Sequence, residues 1–249
     1  VVFGGLGDDT INMNRGGIAF GDRGQVLYGE DPQNPVTVLG STNSGLDYTT
    51  GISKNHGDDT ATNGPVHRLQ TDGVRRGAYE IHSMNDSEGG SDTINVGGTD
   101  SVVIGGADGD TITVSGNNNI ALGDNGSVKY YNAANVGAVY GDSLNLGLHT
   151  VETTSDSVGD VDTVTISGNK NVAMGGEAGD TIGIGGSDNV VIGDGGRYTV
   201  LSDRLIAESK SDTEGGSDTI TTGDGKNAII GGTDADTITT GAGNDIIVG

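Results

Sequence analysis

One three-residue phrase recurs along this chain at a fixed spacing. Aspartate, threonine and then isoleucine or valine occur together at Asp92, Asp110, Asp162, Asp180, Asp218 and Asp236. Within each of the pairs 92 and 110, 162 and 180, and 218 and 236, the spacing is 18 residues. A fixed period of this size indicates a repeat architecture, in which each unit buries its apolar side chains only by stacking on its neighbours. The period therefore restricts the chain to a stack of short, similar units.

A half-period of nine residues divides each unit into two nonapeptides. Two residues after the sixth position of every nonapeptide, the side chain is apolar: Ile11, Ala19, Ile94, Val103, Ile112, Ala121, Val164, Ala173, Ile182, Val191, Ile220, Ile229, Ile238 and Ile247. Composition alone would also allow a disordered chain, because only 32% of the residues are hydrophobic and 48 of 249 are glycine. Disorder does not explain an apolar register that is kept fourteen times, so we expect a folded repeat protein with a thin core.

The charge is strongly negative and comes mostly from aspartate. Acidic residues comprise 28 Asp and 7 Glu against 12 Lys and Arg, for a net charge of −23. Aspartate is favoured in turns and as a calcium ligand, whereas a merely solubilising surface would use glutamate as freely. The charge argues against nucleic acid as a partner, because phosphates would be repelled. No apolar run approaches the roughly 20 residues of a membrane helix, so membrane insertion is not expected.

Several nonapeptides match a known calcium-binding motif. Residues 4–12 fit the pattern GGxGxDxUx throughout, and residues 241–248 fit all but its first position. Three more segments keep the paired glycines and the sixth-position aspartate but lack the glycine at position four: 105–113, 175–183 and 231–239. On these residues the chain resembles the RTX, or haemolysin-type, calcium-binding repeat proteins. The matching repeats cover about half of its length.

The resemblance implies a fold and a cofactor. Six residues of each nonapeptide would form a turn and three a short strand, so that two nonapeptides complete one coil of a right-handed parallel β-roll. The predicted fold is all-β, one continuous β-roll or β-solenoid over residues 1–249 with one inward residue per strand. The resemblance also implies Ca²⁺ between successive turns, because aspartate carboxylates and turn carbonyls supply the oxygen ligands that calcium prefers.

The two strands of each coil differ in pattern. Strands that follow the repeated aspartates place threonine beside the inward residue, which indicates a polar outer face. The opposite strands are apolar triplets: 102–104, 120–122, 172–174, 190–192 and 228–230. A strand that is apolar on both faces is normally buried on both faces. We therefore expect this outer face to be covered, either by insertions of the same chain or by another subunit through self-association.

The two edges of the coil are predicted to differ as well. The turns on one edge carry the candidate calcium ligands Asp9, Asp92, Asp110, Asp162, Asp180, Asp218 and Asp236. These seven turns leave six gaps, which predicts roughly six calcium ions if each gap holds one. The turns on the other edge mostly carry asparagine instead, at Asn119, Asn171, Asn189 and Asn227. Stacked asparagines can hydrogen-bond without metal, and Asp245, near Asp224, is a candidate for one further calcium site there.

Three insertions interrupt the repeat, at about 25–88, 127–158 and 197–214. Each opens with Gly-Asp-x-Gly, and the aspartates of this motif, Asp22, Asp124 and Asp194, are either calcium ligands or turn residues. Short alternating runs at the ends of the insertions predict β-hairpins. The shortest hairpin is expected to turn at Asp203-Arg204. Insertions on a regular scaffold are typical of the variable parts that contact partners.

These features favour a non-catalytic role. The chain starts and stops inside a repeat, which suggests a segment of a longer repeat protein that contacts neighbouring repeats. The resemblance implies type I secretion and a calcium-stiffened adhesin, fibre or other surface protein outside a bacterial cell. One alternative is the repeat tail of a secreted protease, lipase or epimerase. A minor alternative is ice binding through the threonine rows. We assign no catalytic residue, because no P-loop lysine and no GxSxG motif occurs.

Overall fold

The computed structural model describes residues 1–28, 37–40, 78–84, 87–130, 148–154, 158–201, 203–210 and 214–249. Within these ranges the chain is all-β, with 22 strands and no helix. It follows that these ranges contain no helix of the length and apolarity needed to cross a membrane.

The strands, in chain order, are β1 (Val2–Phe3), β2 (Thr10–Met13), β3 (Ile18–Phe20), β4 (Gly24–Tyr28), β5 (Thr37–Gly40), β6 (Ala78–Ser83), β7 (Thr93–Gly97), β8 (Val102–Gly106), β9 (Thr111–Ser115), β10 (Ile120–Asp124), β11 (Gly126–Lys129), β12 (Thr150–Thr153), β13 (Thr163–Ser167), β14 (Val172–Gly176), β15 (Thr181–Ile184), β16 (Val190–Asp194), β17 (Gly196–Val200), β18 (Leu205–Ser209), β19 (Thr219–Thr222), β20 (Ala228–Ile230), β21 (Thr237–Thr239) and β22 (Ile246–Val248).

These strands form three sheets. The threonine sheet has the order β2-β7-β9-β13-β15-β19-β21, and the aliphatic sheet has the order β1-β3-β8-β10-β14-β16-β20-β22. Both are parallel throughout, and between insertions the chain alternates between them, so that each 18-residue repeat unit adds one strand to each sheet. The insertion sheet has the order β18-β17-β12-β11-β6-β4-β5 and is antiparallel. The prediction of an all-β chain with long parallel sheets of repeating strands is confirmed.

The first hydrophobic core lies between the threonine and aliphatic sheets. It contains twelve of the fourteen apolar positions picked out by the nonapeptide register, from Ile11 to Ile229. Ile238 packs against this core and is partly buried, whereas Ile247 is 50% exposed because it lies on β22, the outermost strand of its sheet.

One detail of the predicted core is wrong. The threonine sheet does not contribute a single inward residue per strand. Its strands other than β21 extend to four or five residues, and four of them turn a second apolar side chain inward. These additional core residues are Val96, Val114, Ile166 and Ile184. An alternating strand of this length places residues i and i+2 on the same face. The second inward residue therefore lies two positions after the first and adds a second layer to the core.

A second hydrophobic core covers the outer face of the aliphatic sheet. Phe20, Leu122 and Met174 on that face are fully buried, and they belong to the same cluster as Ile81 and Val151 of the insertion sheet. The chain therefore covers these strands with its own insertions, which was one of the two predicted possibilities, whereas Ile246 and Val248 on β22 are exposed. Self-association through the same face has to be withdrawn for these strands, because their outward side chains are already out of contact with solvent.

The insertions supply every strand of the insertion sheet. Strands β17 and β18 pair from Gly196↔Ser209 to Val200↔Leu205, and the Leu201 N–H donates to the Arg204 carbonyl at 2.9 Å. The shortest insertion is therefore a hairpin whose connection contains Asp203 and Arg204, as predicted. The predicted longer tips of the other two insertions fall within 29–36, 41–77 and 131–147, outside the described residues.

Candidate metal edge

Four of the turns that lead into the threonine sheet share a left-handed backbone conformation at position four of the motif, even where the glycine has been lost. Position four of the motif is Gly7 in the first repeat, with φ of 85°. Asp108, Ala178 and Asp234 occupy the same position in later repeats with φ of 64°, 68° and 62°. This left-handed region strains a residue that has a Cβ. The departures from the motif therefore change the side chain without changing the path of the turn.

A ladder of aspartates runs along this edge and joins all seven predicted positions. In each step the Oδ1 atom of one aspartate accepts a hydrogen bond from the backbone N–H of the equivalent aspartate in the preceding unit. The six bonds run from Asp9 N–H→Asp92 Oδ1 to Asp218 N–H→Asp236 Oδ1, with N···O distances of 2.6 to 3.0 Å. We refer to these residues as the aspartate ladder.

The second carboxylate oxygen of the ladder has no donor. The Oδ2 atoms that are buried without a hydrogen-bond partner are those of Asp92, Asp110, Asp162, Asp180, Asp218 and Asp236. A methyl group placed on Gly105 would overlap both Asp110 Oδ2 and the Gly123 carbonyl oxygen. A methyl group on Gly175 would likewise overlap Asp180 Oδ2 and the Gly193 carbonyl oxygen. Two hydrogen-bond acceptors from different segments thus converge beside one glycine, and only a cation or a proton can reconcile them.

The pKa values of the ladder carboxyls reflect this environment. Burial, together with the charge of neighbouring aspartates, raises the pKa of Asp110 to about 9 and that of Asp180 to about 10. Burial is also the main cause that raises the pKa of Asp92 to about 6 and those of Asp162 and Asp218 to about 7. Without a cation, Asp110 and Asp180 therefore keep their protons at neutral pH.

The opposite edge shows the predicted amide ladder. Oδ1 of each asparagine accepts the N–H of the equivalent residue one unit earlier, from Ser101 N–H→Asn119 Oδ1 to Asn189 N–H→Asn227 Oδ1, at 2.8 to 3.2 Å. The second polar side-chain atom of asparagine, Nδ2, is a hydrogen-bond donor. Nδ2 of Asn189 donates to the Gly185 carbonyl at 3.0 Å, and Nδ2 of Asn227 donates to the Gly223 carbonyl at 3.1 Å. The Nδ2 atoms of Asn119 and Asn171 have no acceptor.

Asp245 belongs to this amide edge and not to the aspartate ladder. Its Oδ1 accepts hydrogen bonds from the backbone N–H of Asn227 at 2.9 Å and from the Asn227 side chain at 3.3 Å. Asp224 makes a separate contact, in which Oδ1 accepts the Ala242 N–H at 2.7 Å. Each of these carboxylates therefore has backbone donors of its own, and none of these bonds joins the two.

The aspartates that open the insertions hold two segments together. Oδ1 of Asp22 accepts the Gly90 N–H at 3.2 Å, where the chain re-enters the repeat, and Oδ2 accepts the Ala107 N–H at 2.8 Å. Asp194 repeats this pattern with the Gly216 N–H at 2.8 Å and with the backbone N–H and hydroxyl of Thr233.

The third junction aspartate, Asp124, accepts the Glu177 N–H at 2.5 Å. It pairs in register with Gly106, so it occupies the position of the second glycine of an intact repeat. Burial raises the pKa of Asp124 to about 9 and that of Asp22 to about 7. The bonds of Asp22 and Asp194 are those expected of turn residues, whereas Asp124 Oδ1 is buried without a hydrogen-bond partner, so both predicted roles stay open.

Aspartate side chains alone do not make a metal site at this edge. Among the residues the structure describes, no group of three or more His, Cys, Asp or Glu side chains is placed to hold a metal ion. Any ion would need the glycine carbonyls that converge on the ladder. Sequence reasoning did not identify these individual carbonyls, and the only signal for them was glycine at the first position of the motif.

Comparison with protein-family models, with curated proteins and with solved structures found no match for this chain.

Proposed function

We propose that the chain is a calcium-stabilised β-roll that serves as a non-catalytic structural or adhesive segment of a secreted bacterial surface or fibre protein. The observation that carries this proposal is the row of buried, unpartnered Oδ2 atoms on the aspartate ladder. All but that of Asp236 lie beside the same glycine position as a glycine carbonyl oxygen. Such a set of oxygen atoms suits a hard cation.

The contrast between the two edges supports calcium over a merely acidic surface. Both edges use Oδ1 in the same hydrogen bond to the preceding unit. Only the aspartate edge replaces the amide donor by a second acceptor, at six consecutive positions that are shielded from water. A solvated acidic face would expose its carboxylates, because burying an unpaired charge is costly. One ion in each of the six gaps would supply the missing positive charge.

The net charge is consistent with a switch that responds to extracellular calcium. At −23 the chain repels itself when compact. Six divalent cations would offset about half of that charge. Extracellular calcium modules bind at about 10⁻⁴–10⁻³ M, so a chain of this kind would stay unfolded in a low-calcium cytosol and fold outside the cell. This is the basis for the proposed extracellular or cell-surface location.

In the proposed role the repeat units supply length and stiffness. The aspartate and amide ladders join successive units along both edges, and the insertion sheet runs across three insertions on one side. Contacts with neighbouring repeats of the same protein remain part of the proposal, but the covered face of the aliphatic sheet does not supply them.

The test is a calcium titration from a chelated start, followed by far-UV circular dichroism and sedimentation velocity. We expect a cooperative gain of β signal near millimolar calcium together with a smaller hydrodynamic radius. Magnesium at the same concentration is the control, because it demands near-ideal octahedral geometry and dehydrates reluctantly. A β signal that is unchanged by chelator would overturn the calcium part of the proposal.

A further inference from the structure

We propose that the outer face of the threonine sheet is a binding surface for a crystalline, uncharged solid, and that this solid is ice. The face consists of two ranks of short polar side chains that the parallel register brings side by side. This inference does not depend on the proposed surface or fibre role, and it concerns the side of the molecule opposite to the insertions.

The first rank is an unbroken row of threonines. Direct strand pairing aligns one threonine from every strand of the sheet: Thr10, Thr93, Thr111, Thr163, Thr181, Thr219 and Thr237. All seven are exposed. No register shift interrupts the row, although two long insertions separate parts of it in sequence. Only the folded chain therefore makes the row continuous.

A second rank runs parallel to the first, two residues further along each strand. It contains Asn12, Asn95, Thr113, Thr165, Gly183, Thr221 and Thr239. Its threonines are exposed, and Nδ2 of Asn95 donates to Oδ1 of Asn12 at 3.2 Å. The two ranks together give the threonine sheet a repeating Thr-x-Thr surface.

The composition of this face departs from that of the whole chain. The protein has 35 acidic residues, yet neither rank contains an ionised side chain. An exposed sheet face that served only for solubility would carry interspersed charges. The face also lacks the aromatic and large aliphatic side chains that form the centre of protein interfaces. These properties disfavour a second copy of the chain as the partner. They favour a neutral partner that binds hydroxyl groups.

The geometry provides a regular lattice. Neighbouring strands lie about 4.8 Å apart and residues i and i+2 about 6.6 Å apart along a strand. Threonine is stiff at χ1, so each hydroxyl and methyl group keeps a defined position. Side-chain ladders are among the features that keep a many-stranded sheet flat, and here the aspartate and amide ladders flank the face. Ice presents uncharged oxygen atoms in rows of comparable spacing, so many weak contacts can form together.

The described strands of the insertions leave this surface uncovered. Every one of them belongs to the insertion sheet, which packs on the aliphatic sheet. The seven threonines of the first rank are exposed, which is what binding to a large solid requires.

The test uses the calcium-loaded chain and two readouts, thermal hysteresis and partition between slowly grown ice and the remaining liquid. We expect the chain to be enriched in the ice fraction. Thr165→Lys, in the middle of the second rank, should reduce the enrichment to the level of a non-binding protein. Thr199→Lys makes the same substitution on the insertion sheet and should leave it unchanged. If the lysine variant does not fold, Thr165→Val, which keeps the branched shape, replaces it in this test.

Circular dichroism and sedimentation make the outcomes distinguishable. Enrichment that Thr165→Lys abolishes without a change in the β signal supports the proposal. A folded, monomeric chain that is excluded from ice overturns it. A dimer that Thr165→Lys dissociates, with no enrichment in ice, would instead identify the face as an interface between copies and also overturns it. Whether the β signal is lost without calcium tests only the calcium proposal, because ice binding is measured on folded protein.

Discussion

At the scale of single residues, one atom distinguishes the two edges of this protein. Asparagine and aspartate make the same Oδ1 hydrogen bond to the preceding unit, at 2.8 Å for Asn119 to Asn171 and 2.6 Å for Asp110 to Asp162. The remaining atom is a donor in asparagine and an acceptor in aspartate. The amide can donate to a backbone carbonyl, as Asn189 and Asn227 do, whereas the carboxylate needs a proton or a cation to approach one.

This difference predicts opposite effects for two exchanges. Asp110→Asn keeps the ladder bond and puts a donor near the Gly123 carbonyl in place of the protonated carboxyl, so stability in chelator at pH 5 should stay within about 1 kcal/mol of the original or rise. Stabilisation by calcium should decrease, because one ligand is lost. Asn171→Asp buries an unpaired carboxylate and should destabilise the protein at neutral pH by about 3 kcal/mol.

Denaturant unfolding of the chelated protein at pH 5 and of the calcium-loaded protein at pH 7 measures both effects. Asp203→Asn is the control, because Asp203 is 69% exposed in the turn of the third insertion. A larger loss for Asp110→Asn at pH 5 than for Asn171→Asp at pH 7 would contradict the assignment of the two edges.

The first glycine of the repeat motif provides a second prediction. Gly175→Ala places a methyl group against Asp180 Oδ2 and the Gly193 carbonyl, and overpacking of this kind costs about 1–3 kcal/mol. Gly183→Ala is the matched control, because nothing lies within 4 Å of its added Cβ. We expect thermal unfolding to show a lower Tm for Gly175→Ala and an unchanged or higher Tm for Gly183→Ala, since alanine is favoured over glycine inside a strand. Equal effects would mean that the glycine is not needed for close approach.

At the scale of elements, the insertions complete the fold. The strands β8, β10 and β14 are buried along their whole length, because one face packs on the threonine sheet and the other on the insertion sheet. On the insertion strands Val128 and Val151 are buried, whereas Lys129 and Glu152 are partly exposed and form an ion pair at 3.2 Å. The insertion sheet thus shields the apolar outer face from solvent.

If the insertion sheet packs in this way, removing a side chain from the shared core should be costly. Leu122→Ala deletes a fully buried side chain between the aliphatic and insertion sheets and should destabilise the calcium-loaded protein by about 2–5 kcal/mol. Leu205→Ala, at a position that is 62% exposed, should change stability by no more than about 0.5 kcal/mol. Urea unfolding compares the two, and a small effect of Leu122→Ala would show that the insertion sheet does not cover this face in solution.

At the scale of the whole molecule, the buried aspartates link stability to pH. The pKa values of Asp110 and Asp180 rise from an ordinary 3.8 to about 9 and about 10. The folded state therefore binds more protons than the unfolded state between about pH 4 and these values, so raising the pH through this window destabilises it.

In chelator, the protein should accordingly be most stable near pH 4 and lose stability progressively towards pH 9. Calcium should flatten or reverse this dependence, and its binding at pH 7 should release protons, because metal ligation requires ionised carboxylates. Thermal unfolding across pH and calorimetry in buffers of different ionisation enthalpy measure the two effects. Stability in chelator that rises from pH 4 to pH 9 would contradict the raised pKa values.

Much of the scaffold was predictable from local pattern. The 18-residue period predicted repeating parallel strands, and the nonapeptide register identified twelve buried core positions. The aspartate and asparagine positions predicted two different edges. These features repeat in every unit, and a stacked unit contacts only its neighbours. The number of inward residues per threonine strand was underestimated, because the motif marks one apolar position whereas the strand continues for another two residues.

The sequence by itself determined the repeat, the core register and the chemistry of each edge, since these depend on residues a few positions apart. Only the tertiary structure decided what covers the aliphatic sheet, because Val26, Ile81, Val128, Val151 and Tyr198 come from three separate insertions that meet in one sheet. It also decided that the junction aspartates bridge distant segments and that the threonines form one continuous row. The junction contacts join residues 22 to 85 positions apart, and the inserted segments interrupt the repeat there, so the pattern of one unit does not predict them.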